Sequence, residues 1–279
     1  MEFWKSGKRI EFNYFQARQQ LMAATFLSLI YPEEEKYITR VMDQLYAITN
    51  EYTWCVPAHY GPIAEGNPCK IDLFAAETGL GLAEVYLMLE DRLDDFIKRR
   101  VRDEIERRIV DSMIETPKFG FESMSNNWSS VCAGSVGCTA MLLFPEKFEI
   151  IRPRIEAAME VFLSGYRDDG VCLEGSSYWS YGFGFFCIYA DMISRFTEGE
   201  VDYFALPKVK RIATFLQKTF LSGNACTSFS DGGRTGAFNV GLMHFLKKKY
   251  PEDIILYKAD FSKGRDGCAR IVMAVMTVG

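Results

Sequence analysis

An all-α fold is what this sequence predicts. Three observations carry it: apolar residues recur at helical spacing nearly throughout, alternating strand-like runs are almost absent, and helix-opening signals recur along the chain. Residues 15–30 form an apolar-rich segment that stops before Pro32. Pro32 and the acids Glu33, Glu34 and Glu35 open a second helix, because proline suits a first helical turn and negative charge suits the positive end of the helix dipole. That helix continues through Tyr37, Val41, Leu45 and Ile48. Asp72 is placed to cap a third segment carrying Leu73, Ala76, Leu80, Ala83 and Leu87. A strongly charged helix follows over residues 93–114, with Phe96, Val101, Ile105, Ile109 and Met113 as its apolar stripe. Further helices are expected at residues 129–143, 147–166, 176–196, 206–221 and 238–250.

No linker rich in Pro, Gly or Ser interrupts this succession, so residues 1–253 read as one all-α domain. The connections alternate in character. Plain, short ones separate some helices, while residues 52–68, 119–128, 167–181 and 223–236 are long and rich in aromatic, Gly and polar residues. Helical hairpins set in an arc would gather such loops at one end around a cleft, which predicts an incomplete (α/α) toroid rather than a bundle or solenoid. Residues 254–279 break the pattern. Ile254 to Tyr257 are expected as a short strand, and residues 268–278 are apolar and β-branched, as at the start of a further β-rich domain.

Composition bounds the function classes. The 279 residues are 48% hydrophobic and 25% charged, with a formal net charge of −5, and no basic face speaks for nucleic acid. The basic run Lys247-Lys248-Lys249 reads as a solvated helix C-terminus. The eight cysteines make no CxxC pair, and Cys132, Cys138 and Cys187 fall in apolar helical segments, as in a reducing compartment. No apolar run reaches membrane-spanning length and no cleavable leader opens the chain, so a cytoplasmic location is expected, or a periplasmic or secreted one if a leader has been removed. No set of His, Cys and carboxylates has metal-ligand spacing, and neither metal nor cofactor is expected.

The most informative stretch is residues 168–182, where a Gly-containing turn leads to Glu174 and then to Tyr178 and Tyr181. At helical spacing the two phenols share one face of a helix's first turn. Asn126-Asn127-Trp128 stands at the head of another expected helix. Amide, phenol and indole groups at such junctions suit a polar polymer such as a sugar chain better than a packed core.

The segment from Asn126 to Gly134, followed by Glu174-Gly175-Ser176-Ser177-Tyr178-Trp179, resembles the heparinase II/III-like family. The segments Trp54 to His59, Asp72 to Thr78 and Ser228 to Gly232 add to the likeness, which extends over most of residues 50–235. The resemblance implies a polysaccharide lyase acting on an acidic, uronic-acid polymer, with an N-terminal α/α toroid followed by a β-sandwich domain that this chain would lack. It further implies β-elimination, in which the C5 proton of a uronate is removed and the C4 oxygen leaves. In that scheme Asn127 neutralises the carboxylate and Tyr178 donates the proton, or acts as base with a depressed pKa. His59 joins them as a cleft residue, and Trp54, Trp128, Glu174, Trp179, Tyr181 and Asp231 hold substrate. The chain departs from the family's pattern at Trp128, where characterised lyases commonly carry a histidine, and its only histidines are His59 and His244.

The residues themselves leave alternatives open. Tyr178 and Tyr181 pack readily between helices, Tyr181 competes with Tyr178 for the proton-donor role, and Trp128 and Trp179 suit core anchors as well as sugar platforms. Asn127 suits a helix cap, although Asn126 can fill that position. Glu174 reads as a cap for the helix it precedes or as a general acid, Asp231 as a turn residue, and His244 as structural. Glu174 with Asp231 sustains glycoside hydrolysis as a rival activity, and Trp128 in place of histidine sustains a glycan-binding toroid without catalysis.

Overall fold

The computed structural model describes residues 8–61, 66–236 and 239–256, and these are mostly helical. Helix α1 (Lys8–Ile30) and α2 (Glu35–Thr49) form a hairpin, with the buried stripe Ile38, Val41, Leu45 and Ile48 of α2 turned to its partner. Helix α3 (Leu73–Leu89) follows a long loop and is capped by Asp72, whose carboxylate accepts the Ala75 N–H at 2.7 Å. Helix α4 (Asp95–Ile105) passes through a π-helical turn (Glu106–Val110) into a last helical stretch (Asp111–Glu115). Helices α5 (Asn127–Leu143) and α6 (Pro145–Ser164) are joined through Phe144 alone, with Pro145 at the first position of α6.

The next expected helix, residues 176–196, is split. Its first turn (Ser176–Tyr178) leads through a π-helical turn (Trp179–Phe183) into α7 (Gly184–Phe196). The expected helix at 206–221 is also broken, into α8 (Pro207–Ala213) and α9 (Phe215–Thr219). The interruption falls at Thr214, whose hydroxyl bonds the Arg211 carbonyl and competes with the helical ladder. Residues 220 and 221 then belong not to a helix but to strand β1 (Phe220–Ser222), paired antiparallel with β2 (Ala225–Cys226) around Gly223, which takes the positive φ of 53° that a tight turn needs. Helix α10 (Val240–Lys249) closes the described chain. Residues 254–256 make no strand, and the rest of the expected tail domain lies outside the described residues.

Two kinds of helix alternate in the packing. Helices α3 and α5 are buried on nearly every face, whereas α2 and α4 each bury one stripe. Helix α5 is the centre: it packs on α3, α6 and α7 together. Its sequence allows this because Ser129, Ser130, Ala133, Gly134, Ser135, Gly137 and Ala140 keep its surface small. A Cβ on Gly137 would lie 3.0 Å from both Ile155 of α6 and Tyr189 of α7, so glycine sets the spacing of three helices there.

Polar bonds lock the outer layer. Arg108 donates to Glu104 at 2.6 Å and to the carbonyls of Glu51 and Tyr52, satisfying backbone beyond the end of α2. Arg18 of α1 meets the Glu51 carboxylate through two bonds of 2.6 Å, the bidentate fork that makes arginine–carboxylate pairs strong. Among the described residues no helix is long and apolar enough to cross a membrane.

Candidate active site

The N-terminal ends of α3 and α5 and the segment leading into α7 meet, and the four rich loops touch in succession. Loop 52–68 brings His59 against Trp128. Loop 119–128 meets loop 167–181 where the Asn127 N–H donates to Glu174 Oε2 at 3.3 Å. Gly175, at φ 96°, packs so closely against the loop 223–236 that a Cβ would lie 2.8 Å from the Gly232 nitrogen. Sequence reasoning expected these loops at one end, and the contacts place them together.

At the head of α3, Asp72 is fully buried and does three jobs. One oxygen caps Ala75, and the other accepts the Val56 N–H at 3.3 Å and contacts His59 Nδ1 at 2.8 Å. With Nδ1–H donated to that carboxylate, the neutral ring carries its lone pair on Nε2. The imidazole stacks on Phe74 with centroids 5.8 Å apart and planes 3° from parallel, and the Trp128 ring lies 4.9 Å away on a 59° tilt. Lys70 donates to the His59 carbonyl, so backbone and ring are both held. The side chain keeps 28% exposure.

Asn127 begins α5, while Asn126 is the cap and accepts the Trp128 N–H. The Asn127 backbone N–H is spent on Glu174, but its side-chain amide has no hydrogen-bond partner among the described residues. Glu174 therefore caps the helix of another segment. It does not cap the helix it precedes, whose N-cap position is Gly175. Burial raises the Glu174 pKa first; the Asn127 N–H opposes that, and the negative charge of Asp231 adds to it. Asp231 itself lies exposed in a turn, as its Ser-Asp-Gly-Gly context predicts.

The two tyrosines part company. A π-turn holds more residues per turn than an α-helix, so Tyr178 and Tyr181 are not stacked on one face as helical spacing predicts. Tyr181 donates its hydroxyl proton to Glu77, a buried carboxylate one turn into α3. The Tyr178 hydroxyl, half-buried, has no hydrogen-bond partner among the described residues.

Two expected sugar platforms are corrected. Trp54 and Trp179 are 1% and 0% exposed, and their indole N–H groups bond the Ile48 and Ile212 carbonyls at 2.9 Å. With no face open, each is an anchor of the core. Trp128 is only partly buried and remains available. His244, read as structural, lies on the exposed face of α10.

Asp72, Phe74 and Glu77 were not singled out as site residues. Their signal lay in the Asp72 to Thr78 block, which in the sequence reads as a cap, an apolar stripe and part of the family likeness. Among the described residues no group of three or more His, Cys and carboxylates forms a metal cage. No protein-family model matches the chain, and no curated protein matches it either.

Proposed function

We propose that this chain is the catalytic portion of a polysaccharide lyase, cleaving a uronic-acid polymer by β-elimination, and that its alternating one-sided and fully buried helices form an arc of an α/α toroid. The observation that carries the reading is the Asp72–His59 pair, whose imidazole lies against Phe74 and Trp128, the latter next in the chain to Asn127. Removal of a proton from carbon needs a base whose lone pair faces the substrate. Asp72 fixes the tautomer that presents Nε2 and stabilises the imidazolium once the proton arrives.

In this mechanism His59 Nε2 takes the C5 proton, the C5–H electron pair forms the C4–C5 double bond, and the C4–O bond breaks. The Asn127 amide donates to the uronate carboxylate, so that charge developing at C5 is delocalised into a group already hydrogen-bonded. Tyr178 protonates the departing oxygen, since its proton is uncommitted and that of Tyr181 is held by Glu77. The resembled family carries a histidine at the Trp128 position. Here an imidazole from another loop packs against that tryptophan, and in this proposal it takes over the histidine's role.

One observation favours a second reading, glycoside hydrolysis: burial and Asp231 both favour a protonated Glu174, the state a general acid needs. Variants separate the two. The lyase reading expects His59→Gln and Tyr178→Phe each to lower kcat by at least about a hundredfold while leaving oligosaccharide affinity nearly unchanged. Full activity in either variant, together with loss in Glu174→Gln, would favour hydrolysis.

A further inference from the structure

A groove of about 390 Å³ lies between the C-terminal end of α3 and the first turns of α4, lined by Tyr86, Glu90, Asp95, Lys98, Arg99 and Arg102. That volume is in the range of small-molecule sites. Helix α3 has 17 residues, so the groove is about 25 Å along its axis from the Asp72 cap and the candidate active site. Lys98 and Arg102, four positions apart on α4, stand side by side. Burial raises the Tyr86 pKa and Glu90 adds to it, while Arg102 and Lys98 oppose them, so these four side chains act on one another across one wall.

Charge in the groove is layered by depth. Tyr86 is buried, Arg102 half-buried and the Lys98 side chain 27% exposed, whereas Asp95 is 87% exposed and Glu90 stands at the surface. The cations therefore form the floor and the acids the rim. Arg102 lays the face of its guanidinium over Phe144, 4.4 Å from the ring centroid. A guanidinium stacked by its face keeps its N–H edge for another partner, and among the described residues no acceptor takes that edge. Exposed Arg99 has no acceptor among them either. Lys98 is held by Asp95 at 2.7 Å, an exposed pair that an anion can replace at little cost. Glu90 accepts the Tyr86 O–H at 3.2 Å through one oxygen and keeps the other.

We propose that this groove binds a phosphate monoester of a polyhydroxy compound, with the phosphate on Lys98 and Arg102 and hydroxyl groups against Glu90. A phosphate monoester presents three acceptor oxygens, enough to meet a guanidinium edge and an ammonium together. Three cations against two acids favour an anion. The acids at the rim then decide what the rest of the ligand carries: a bare anion leaves Glu90 and Asp95 facing like charge, whereas hydroxyl donors satisfy their oxygens. The site shares no residue with the candidate active site and does not depend on elimination chemistry there.

Isothermal titration of the 279-residue chain with glucose 6-phosphate, inorganic phosphate, inorganic sulfate and glucose as separate probes tests this. The expected result is glucose 6-phosphate bound at least about tenfold more tightly than either inorganic anion, and no heat from glucose. Lys98→Met and Arg102→Met, which keep the carbon stems in place, each weaken glucose 6-phosphate by at least about tenfold. Arg99→Gln changes an exposed position where folding is not at stake, and weakens it by about threefold or more. Glu90→Ala narrows the margin of glucose 6-phosphate over inorganic phosphate. His59→Gln leaves binding unchanged, because it lies at the other end of α3. No binding of glucose 6-phosphate, or binding no tighter than that of sulfate, would overturn the proposal. So would binding untouched by Arg99→Gln and Arg102→Met, a margin unmoved by Glu90→Ala, or binding lost in His59→Gln.

Discussion

Each residue at this site is defined by what it has left to offer. Asp72 is saturated, with three bonds to Ala75, Val56 and His59, so its contribution is orientation. Asp72→Asn keeps the size but weakens the tautomer lock, because an amide can turn its NH₂ toward Nδ1. The account expects kcat to fall by roughly a hundredfold or more with KM nearly unchanged, because the imidazole is no longer held in the tautomer that presents Nε2. A fall in kcat matched by an equal loss of folded protein at the assay temperature would mean a structural role alone. Tyr181→Phe serves as the contrast to Tyr178→Phe: its proton already belongs to Glu77, so turnover should survive that substitution better. A loss equal to that of Tyr178→Phe would reassign the proton donor. None of this pairing was legible from spacing. His59 and Asp72 lie thirteen positions apart on either side of a loop, and only the fold brings them to 2.8 Å.

At the scale of elements, the sequence signals that worked are those with a local physical cause. Apolar periodicity and caps located most of the helices, and Asp72 and Asn126 occupy the cap positions their chemistry predicts. Asn126→Ala should cost about 1 kcal/mol, read as a lower urea midpoint, because the Trp128 N–H loses its acceptor. The π-turns were not legible, because tertiary contacts surround them. Trp179 is drawn into the core toward Ile212, and Gly182 must lie where a Cβ would approach Asn127 to 3.1 Å. Tryptophan burial was not legible for a related reason: an indole has one polar atom, and a single backbone carbonyl suffices to bury it. Gly165→Ala is the sharpest test of local packing. The collision with Ser125 should destabilise the fold by about 1–3 kcal/mol and displace the loop that carries Asn126 and Asn127.

Across the whole molecule, two carboxyl groups give stability opposite pH dependences. Burial pushes Glu104 upward, but hydrogen bonds from Arg108 and Arg107 outweigh it and leave its pKa below the ordinary value. Its stabilising contribution is therefore present at neutral pH and lost as pH falls through the folded-state value. Removing Arg108 leaves Glu104 paired with Arg107 and Arg100 but takes the donor from the Glu51 and Tyr52 carbonyls, so Arg108→Ala should cost about 1–3 kcal/mol in chemical denaturation. Glu174 behaves the other way. Its pKa is raised, so its contribution is present in acid and lost as pH rises through the folded value. Glu174→Gln should accordingly gain stability relative to the unaltered protein on going from acid to neutral pH, and the opposite trend would contradict the burial argument. The all-α class was readable from periodicity, whereas the meeting of four loops was only an expectation from their alternation until contacts joined them.

The central claim is elimination chemistry at the His59 end of these helices. The most direct measurement follows ultraviolet absorbance of the C4–C5 unsaturated uronate while the protein acts on a panel of uronic-acid polysaccharides, with reducing ends assayed in parallel. The account predicts absorbance rising in step with new reducing ends, abolished by His59→Gln. New reducing ends without absorbance would contradict it and establish hydrolysis in its place.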